Sequence, residues 1–141
     1  MSEIKVDTLT GKTSAGNITV TSEGGAATQS LQQGLAKAWS NFNGTGTIAL
    51  RDSNNVASLS DGGGGIYTVN LTNALSNANY CVTGIGNDDG GQHNHSFLRS
   101  ETTPTTSACP LTTGTGHHSG STAGIHIDVD NVHTVIMGDL A

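Results

Sequence analysis

At 141 residues the chain is long enough for one ordinary domain or a small domain with an extension, which rules out two large domains. Only 11% of it is charged, against about 25% in an average globular protein, and 20 residues are glycine, so its surface is built from Ser, Thr, Asn and Gly. A net charge of -6, with Lys5, Lys12, Lys37, Arg51 and Arg99 scattered along the chain, argues against nucleic acid and anionic membranes as partners.

Residues 1–25 read as an extended arm. Ile4, Val6, Ile18 and Val20 alternate with Lys5, Asp7 and Thr19 around Leu9-Thr10-Gly11-Lys12, which predicts a short hairpin or two extended segments. A two-stranded hairpin is marginal in water, so Ile4, Val6, Leu9, Ile18 and Val20 are expected to lie against something else.

Residues 26–44 read as a helical neck. Leu31, Leu35, Ala38, Trp39 and Phe42 recur at spacings of four, three, one and three, tracing one apolar stripe, while Gln32, Gln33, Lys37 and Asn41 take the other faces. The pattern predicts a helix over Ala26–Phe42, with Thr28 as its N-cap and Asn43-Gly44 as its stop. Burying the large side chains of the stripe contributes about 2–3 kcal/mol each, whereas ordering the backbone costs about 1–2 kcal/mol per residue. Gly34 costs about 1 kcal/mol more than Ala would. Such a helix needs company: three copies packed side by side would place Trp39 and Phe42 as a plug at the base of the following β region. The alternative is a helix folded back onto its own sheet.

Residues 45–141 are β in pattern. Ile48 and Leu50 alternate before the turn residues Asp52-Ser53-Asn54-Asn55; Tyr67, Val69 and Leu71 alternate with Thr68, Asn70 and Thr72; Tyr80 and Val82 share a face. Asp61-Gly62-Gly63-Gly64-Gly65 and Asn87-Asp88-Asp89-Gly90-Gly91 supply turn chemistry. Ser96–Ser100, Ile125–Val129 and Val132–Met137 complete about seven short strands, with 86–95 and 101–123 irregular. The expected architecture is therefore mainly β: an extended arm, a short trimerising helix and an antiparallel β-sandwich or jelly-roll-like head. Leu, Ile, Val and Phe together make up 28 of the 141 residues, at the edge of the range where chains stop folding unaided, so self-association is expected to supply the missing burial.

Few residue patterns point to chemistry. In His93-Asn94-His95 an extended backbone puts both imidazoles on one side, and on a trimer axis three copies would offer six nitrogens to one metal ion; an exposed loop is the plainer alternative. His117-His118 reads as a loop tip. His126, Asp128 and Asp130 read as the wet side of a strand, with His–Asp pairing or calcium contact left open. Cys81 and Cys109, 28 positions apart with no second pair, read as two reduced, partly buried thiols. No nucleophile elbow, phosphate-cradling loop or zinc-protease helix occurs, and Gly62–Gly65 lacks the Lys-Ser/Thr of a phosphate cradle, so no enzymatic activity is expected. With no secretory leader or lipidation signal, the chain is expected to remain in the cytoplasm where it is made, and its three sequons are read as chance.

The phrases Glu3-Ile4-Lys5-Val6-Asp7-Thr8-Leu9-Thr10-Gly11-Lys12-Thr13, Ala38-Trp39-Ser40-Asn41-Phe42-Asn43-Gly44-Thr45-Gly46, Arg51-Asp52-Ser53-Asn54-Asn55-Val56-Ala57-Ser58-Leu59, Tyr67-Thr68-Val69-Asn70-Leu71 and Ala78-Asn79-Tyr80 resemble small appendage and tail-fibre proteins of marine bacteriophages, cyanophages especially. The resemblance covers the whole chain loosely and residues 3–82 well; residues 86–123 depart from it. It implies a homotrimeric structural protein of the virion, made in the host cytoplasm, whose N-terminus docks on other tail or neck proteins and whose C-terminal head contacts the host. Asp88, Asp89, Gln92, Asn94, His117 and His118 are then the loop residues expected to face a cell-surface glycan or protein. Alternatives are a capsid or neck decoration protein without a receptor role, and a carbohydrate-binding module.

Overall fold

The computed structural model describes residues 3–87, 102–114 and 126–141. Among the described residues nine strands and one short helix occur, every strand pairing is antiparallel, and the protein is mainly β. The chain divides into two compact units, Met1–Leu35 and Ala36–Ala141.

In the N-terminal unit, β1 (Thr19–Thr21) pairs with β2 (Thr28–Ser30), Val20 lying opposite Gln29. Their connection is closed by the Ser22 N–H, which donates to Ala27 O at 2.8 Å, while Gly25, at φ 72°, donates to Ser22 O. The hairpin thus lies later in the chain than the alternation around Gly11 predicts. A helix follows, α1 (Leu31–Gly34), and it is one turn long. Its N-cap is Ser30, whose hydroxyl accepts from Gln33 N–H at 3.4 Å, and Leu35 is already extended. None of the described residues of this unit is buried.

The C-terminal unit holds two sheets. One contains β3 (Ala38–Asn43), β4 (Ala49–Asn54), β7 (Cys81–Asn87) and β9 (Asn131–Met137) in the order β4-β3-β9-β7. The other contains β5 (Val56–Gly63), β6 (Ile66–Leu71) and β8 (Ala108–Thr112) in the order β5-β6-β8. Alternate residues of the central strands turn inward: Ala38, Ser40 and Phe42 on β3, Val132, Thr134 and Ile136 on β9, Tyr67, Val69 and Leu71 on β6. These inner faces share a single apolar core, joined by Leu75, Cys109, Leu111 and Val129. Phe42 from one sheet meets Tyr67 from the other edge to face, with ring centroids 5.3 Å apart.

The helix predicted over Ala26–Phe42 is overturned by this arrangement, because Ala38–Asn43 is a strand. The stripe required Trp39 and Phe42 on one face, and in β3 they point to opposite faces. Ser40, Asn41 and Asn43 favour competing local hydrogen bonds over a helix interior. As a central strand, flanked by β4 and β9, the segment gains two ladders and buries Phe42 completely. A three-helix neck is therefore not formed by Leu31, Leu35, Ala38, Trp39 and Phe42: α1 spans about 6 Å at about 1.5 Å per residue, and Ala38 and Phe42 are consumed by the chain's own core.

Elsewhere the differences are local. The turn expected at Asp52–Asn55 tightens to Asn55, whose φ of 57° is the one left-handed non-glycine among the described residues. Strand β5 follows at once, and β8 lies inside the stretch expected to be irregular. The strand expected over Ile125–Val129 is replaced, over its described part, by one isolated bridge between Gly114 and His126. The strand expected at Ser96–Ser100 lies outside the described residues. Both cysteines are free, Cys109 buried but Cys81 exposed.

Candidate functional site

Three regions of the described chain carry unusual physical chemistry. The first is the apolar surface of the N-terminal unit. Of the large hydrophobic side chains left exposed, Ile4 (84%), Val6, Leu9, Val20 and Leu35 (55%) belong to its residues. Two shallow grooves flank Val20, one walled by Thr21, Ala27 and Gln29, the other by Leu31, Gly34 and Leu35. Ile18 is half-buried. The five residues expected to lie against a partner thus fall in this unit, with Leu31 and Leu35 of the expected neck beside them.

The second region is the outer face of the four-stranded sheet, and sequence periodicity missed it because the helical reading of Ala26–Phe42 turned Trp39 inward with Phe42. Register places Trp39 opposite Asn54 on β4 and Val135 on β9, and Val135 opposite Thr83 on β7. One row along, Asn41 lies opposite Asp52 and His133, and His133 opposite Ile85, which is 57% exposed. A bulge between Asn41 and Phe42 leaves Arg51 without a cross-strand partner; its guanidinium reaches sideways to Asn131 Oδ1 at 2.5 Å and to Phe42 O. Asn41 Oδ1 is occluded yet has no hydrogen-bond partner among the described residues, an arrangement that costs about 1–3 kcal/mol. The side chains of Trp39, Asn54 and His133 also make no hydrogen bond among the described residues. The outer face of the other sheet differs: there Asn70 Nδ2 donates to both Ser58 and Ser60, and the surroundings are Thr68 and Pro110.

The third region is a polar knot at one end of the β unit. The buried Tyr67 hydroxyl donates to Gly44 O at 2.8 Å and lies 3.1 Å from Asp128 Oδ1. The same carboxylate oxygen accepts from Gly65 N–H, and Thr113 Oγ1 donates to Ile127 O. Gly65 is obligatory here: its φ is 74° and a Cβ would strike Ile127 O and Thr113 O. Burial, then the Asp128 carboxylate, push the Tyr67 hydroxyl up to about 12, against the opposing pull of Thr113. Burial likewise lifts the Cys109 thiol to about 11, partly offset by a hydrogen bond from Tyr80; burial and Cys109 together raise Tyr80. Asp128 is thus a structural acceptor, and residues 126–130 do not form the strand whose one face His126, Asp128 and Asp130 are expected to share.

The candidate metal residues His93 and His95, and the loop residues Asp88, Asp89, Gln92, Asn94, His117 and His118, lie outside the described residues. Among the described residues no three His, Cys, Asp or Glu side chains gather closely enough to hold a metal ion, and no helix is long and apolar enough to cross a membrane. Compared with protein-family models, with curated proteins and with solved structures, the chain matches none.

Proposed function

We propose that the protein is a homotrimeric structural appendage of a phage virion, fastened through its N-terminal unit and presenting its C-terminal unit, a two-layered β-sandwich head, to the host surface. The observation that carries this reading is the asymmetry of burial. The C-terminal unit closes a core from two sheets, whereas the N-terminal unit buries none of its described residues and leaves Ile4, Val6, Leu9, Val20 and Leu35 in water. A segment of that kind reaches its working state against another surface. Copies of the same unit and a tail or neck protein together provide that surface. The resemblance of its motifs to those of marine phage appendage proteins supports the virion as its setting, and the Ser-, Thr- and Asn-covered strands suit a structural and adhesive role and not a catalytic one.

Replacing the helical neck, the contacts between copies are assigned to the hairpin, with Val20, Leu31 and Leu35 meeting their counterparts around the two grooves. Light scattering of the full chain should give three times the 14.3 kDa chain mass. The double substitution Val20→Asp and Leu35→Asp should reduce that to a single chain and abolish incorporation into particles while leaving the β unit folded. A wild-type chain that stays monomeric at about 100 μM, some hundredfold above a micromolar Kd, defeats the trimer; particles that incorporate the double variant normally defeat the anchoring role.

A further inference from the structure

We infer that the outer face of the four-stranded sheet, centred on Trp39, is a binding site for a neutral carbohydrate, a site that rests on the reading of the β unit as the surface-contacting head. The indole stacks on the C–H face of one sugar ring, and Asn41, Asp52, Asn54 and His133 take hydroxyl groups around it.

The two outer faces of the β unit make the contrast. On the three-stranded sheet the polar side chains satisfy one another, Asn70 bridging Ser58 and Ser60, as a solvated surface does. On the four-stranded sheet the chain's sole tryptophan stands half-buried beside polar groups that make no hydrogen bond among the described residues: the Asn41 oxygen, the Asn54 amide and the His133 imidazole, with Asp52 beside Asn41 across the ladder. Nearly all of these sit on extended, paired backbone, which fixes their spacing better than a loop does. A sugar answers both halves of that surface at once, since its axial C–H bonds are weakly apolar and its hydroxyls each donate and accept.

Charge narrows the ligand. Among the described residues the face offers the Asp52 carboxylate, the neighbouring Arg51 guanidinium is turned to Asn131 and Phe42 O, and the chain carries -6 overall. Sulfated or sialylated glycans would be repelled, and a neutral one would not. A second copy of the chain suits the face less well, since the centre of a protein interface is depleted in the charged residues that Asp52 typifies.

The sole tryptophan makes the test direct. Full-length protein is titrated with maltohexaose, cellohexaose, laminarihexaose and a galactohexaose up to about 10 mM, covering the weak per-site affinities that multivalent attachment uses. At least one should shift or quench the Trp39 emission saturably. By calorimetry Trp39→Ala should lose at least about tenfold in affinity, the worth of one stacked ring. His133→Ala, at an exposed position that the fold does not need, should lose several-fold, and Asn70→Ala on the opposite face should change nothing. No saturable response to any of the four sugars, or unchanged affinity in both Trp39→Ala and His133→Ala, overturns the site. Emission that follows protein concentration and not sugar gives the face to a second copy and overturns it equally. Saturable sugar binding by a chain that proves monomeric or fails to enter particles leaves this site standing and removes the appendage reading alone.

Discussion

Tyr67 shows how much one hydroxyl holds in a chain with few aromatic residues. It is fully buried, packs its ring edge against Phe42, and ties the Gly44 turn to the Asp128 segment. Tyr67→Phe keeps the ring and strips the donor, so Gly44 O and Asp128 lose a partner in a dry site; a loss of about 1–2 kcal/mol is expected by urea denaturation. The same residue sets the alkaline limit. Its proton leaves at about 12 in the fold and at 10.0 in the open chain, so between those values the folded state holds a proton that the unfolded state has lost, and stability falls as pH rises. Cys109 acts alike between 9.0 and about 11. Unfolding free energy should therefore be level up to about pH 9 with respect to these groups and then decline by about 1.4 kcal/mol per pH unit for each. Tyr67→Phe should make the decline between pH 10 and 12 shallower, leaving the part that Tyr80 and Cys109 supply, and equal slopes in the two proteins would mean that the hydroxyl is not dry.

At the level of the elements, β3 and β9 define the molecule, and a buried hydroxyl pair lies at the middle of their contact. Ser40 Oγ and Thr134 Oγ1 are 2.7 Å apart, opposite each other in register on the inner face. Ser40→Ala or Thr134→Val alone leaves one hydroxyl stranded and should cost about 1–3 kcal/mol, whereas the double variant should cost less than the sum by about 0.5–3 kcal/mol. Additive losses in that cycle would show that the pair is not coupled. The strand that carries Ser40 also marks where sequence reading fails. Tyr67-Thr68-Val69-Asn70-Leu71 and Val132–Met137 announce themselves, because their β-branched and apolar residues alternate cleanly and one face of each is core. Ala38–Asn43 alternates too, but with Ser40 as an inward residue, so the hydrophobic pattern drops a beat and the leftover apolar positions fall into helical spacing with Leu31 and Leu35. Strand β8 hides for a related reason: its inward Cys109 and Leu111 are interrupted by Pro110, and its place is set by β6 across the sheet, a long-range pairing that no local window contains. The face around Trp39 became visible once the direction of that one ring was known.

Across the whole molecule, composition is even and burial is not. Leu, Ile, Val and Phe make up seven of the 35 residues of Met1–Leu35 and 21 of the 106 residues of Ala36–Ala141, about one fifth in each. In the C-terminal unit strand pairing over long sequence distances gathers them into one core; in the N-terminal unit three-residue strands and a one-turn helix gather none. Ordering 35 residues costs about 1–2 kcal/mol apiece, and one three-residue ladder and a single capped turn, with no fully buried side chain among the described residues, offset little of it. The two units should accordingly behave as different kinds of matter when separated. Residues 36–141 alone should unfold cooperatively in urea with a free energy within about 0.5 kcal/mol of the dilute full chain, as parts that fold independently add. A peptide of residues 1–35 should show the circular dichroism of an unfolded chain. Joined and concentrated, the full chain should gain thermal stability with protein concentration, because association stabilises whatever binds folded and not unfolded. If residues 36–141 prove unfolded alone while the full chain is folded at high dilution, the N-terminal unit is completing the head within one chain, and neighbouring copies are not what it exists to meet.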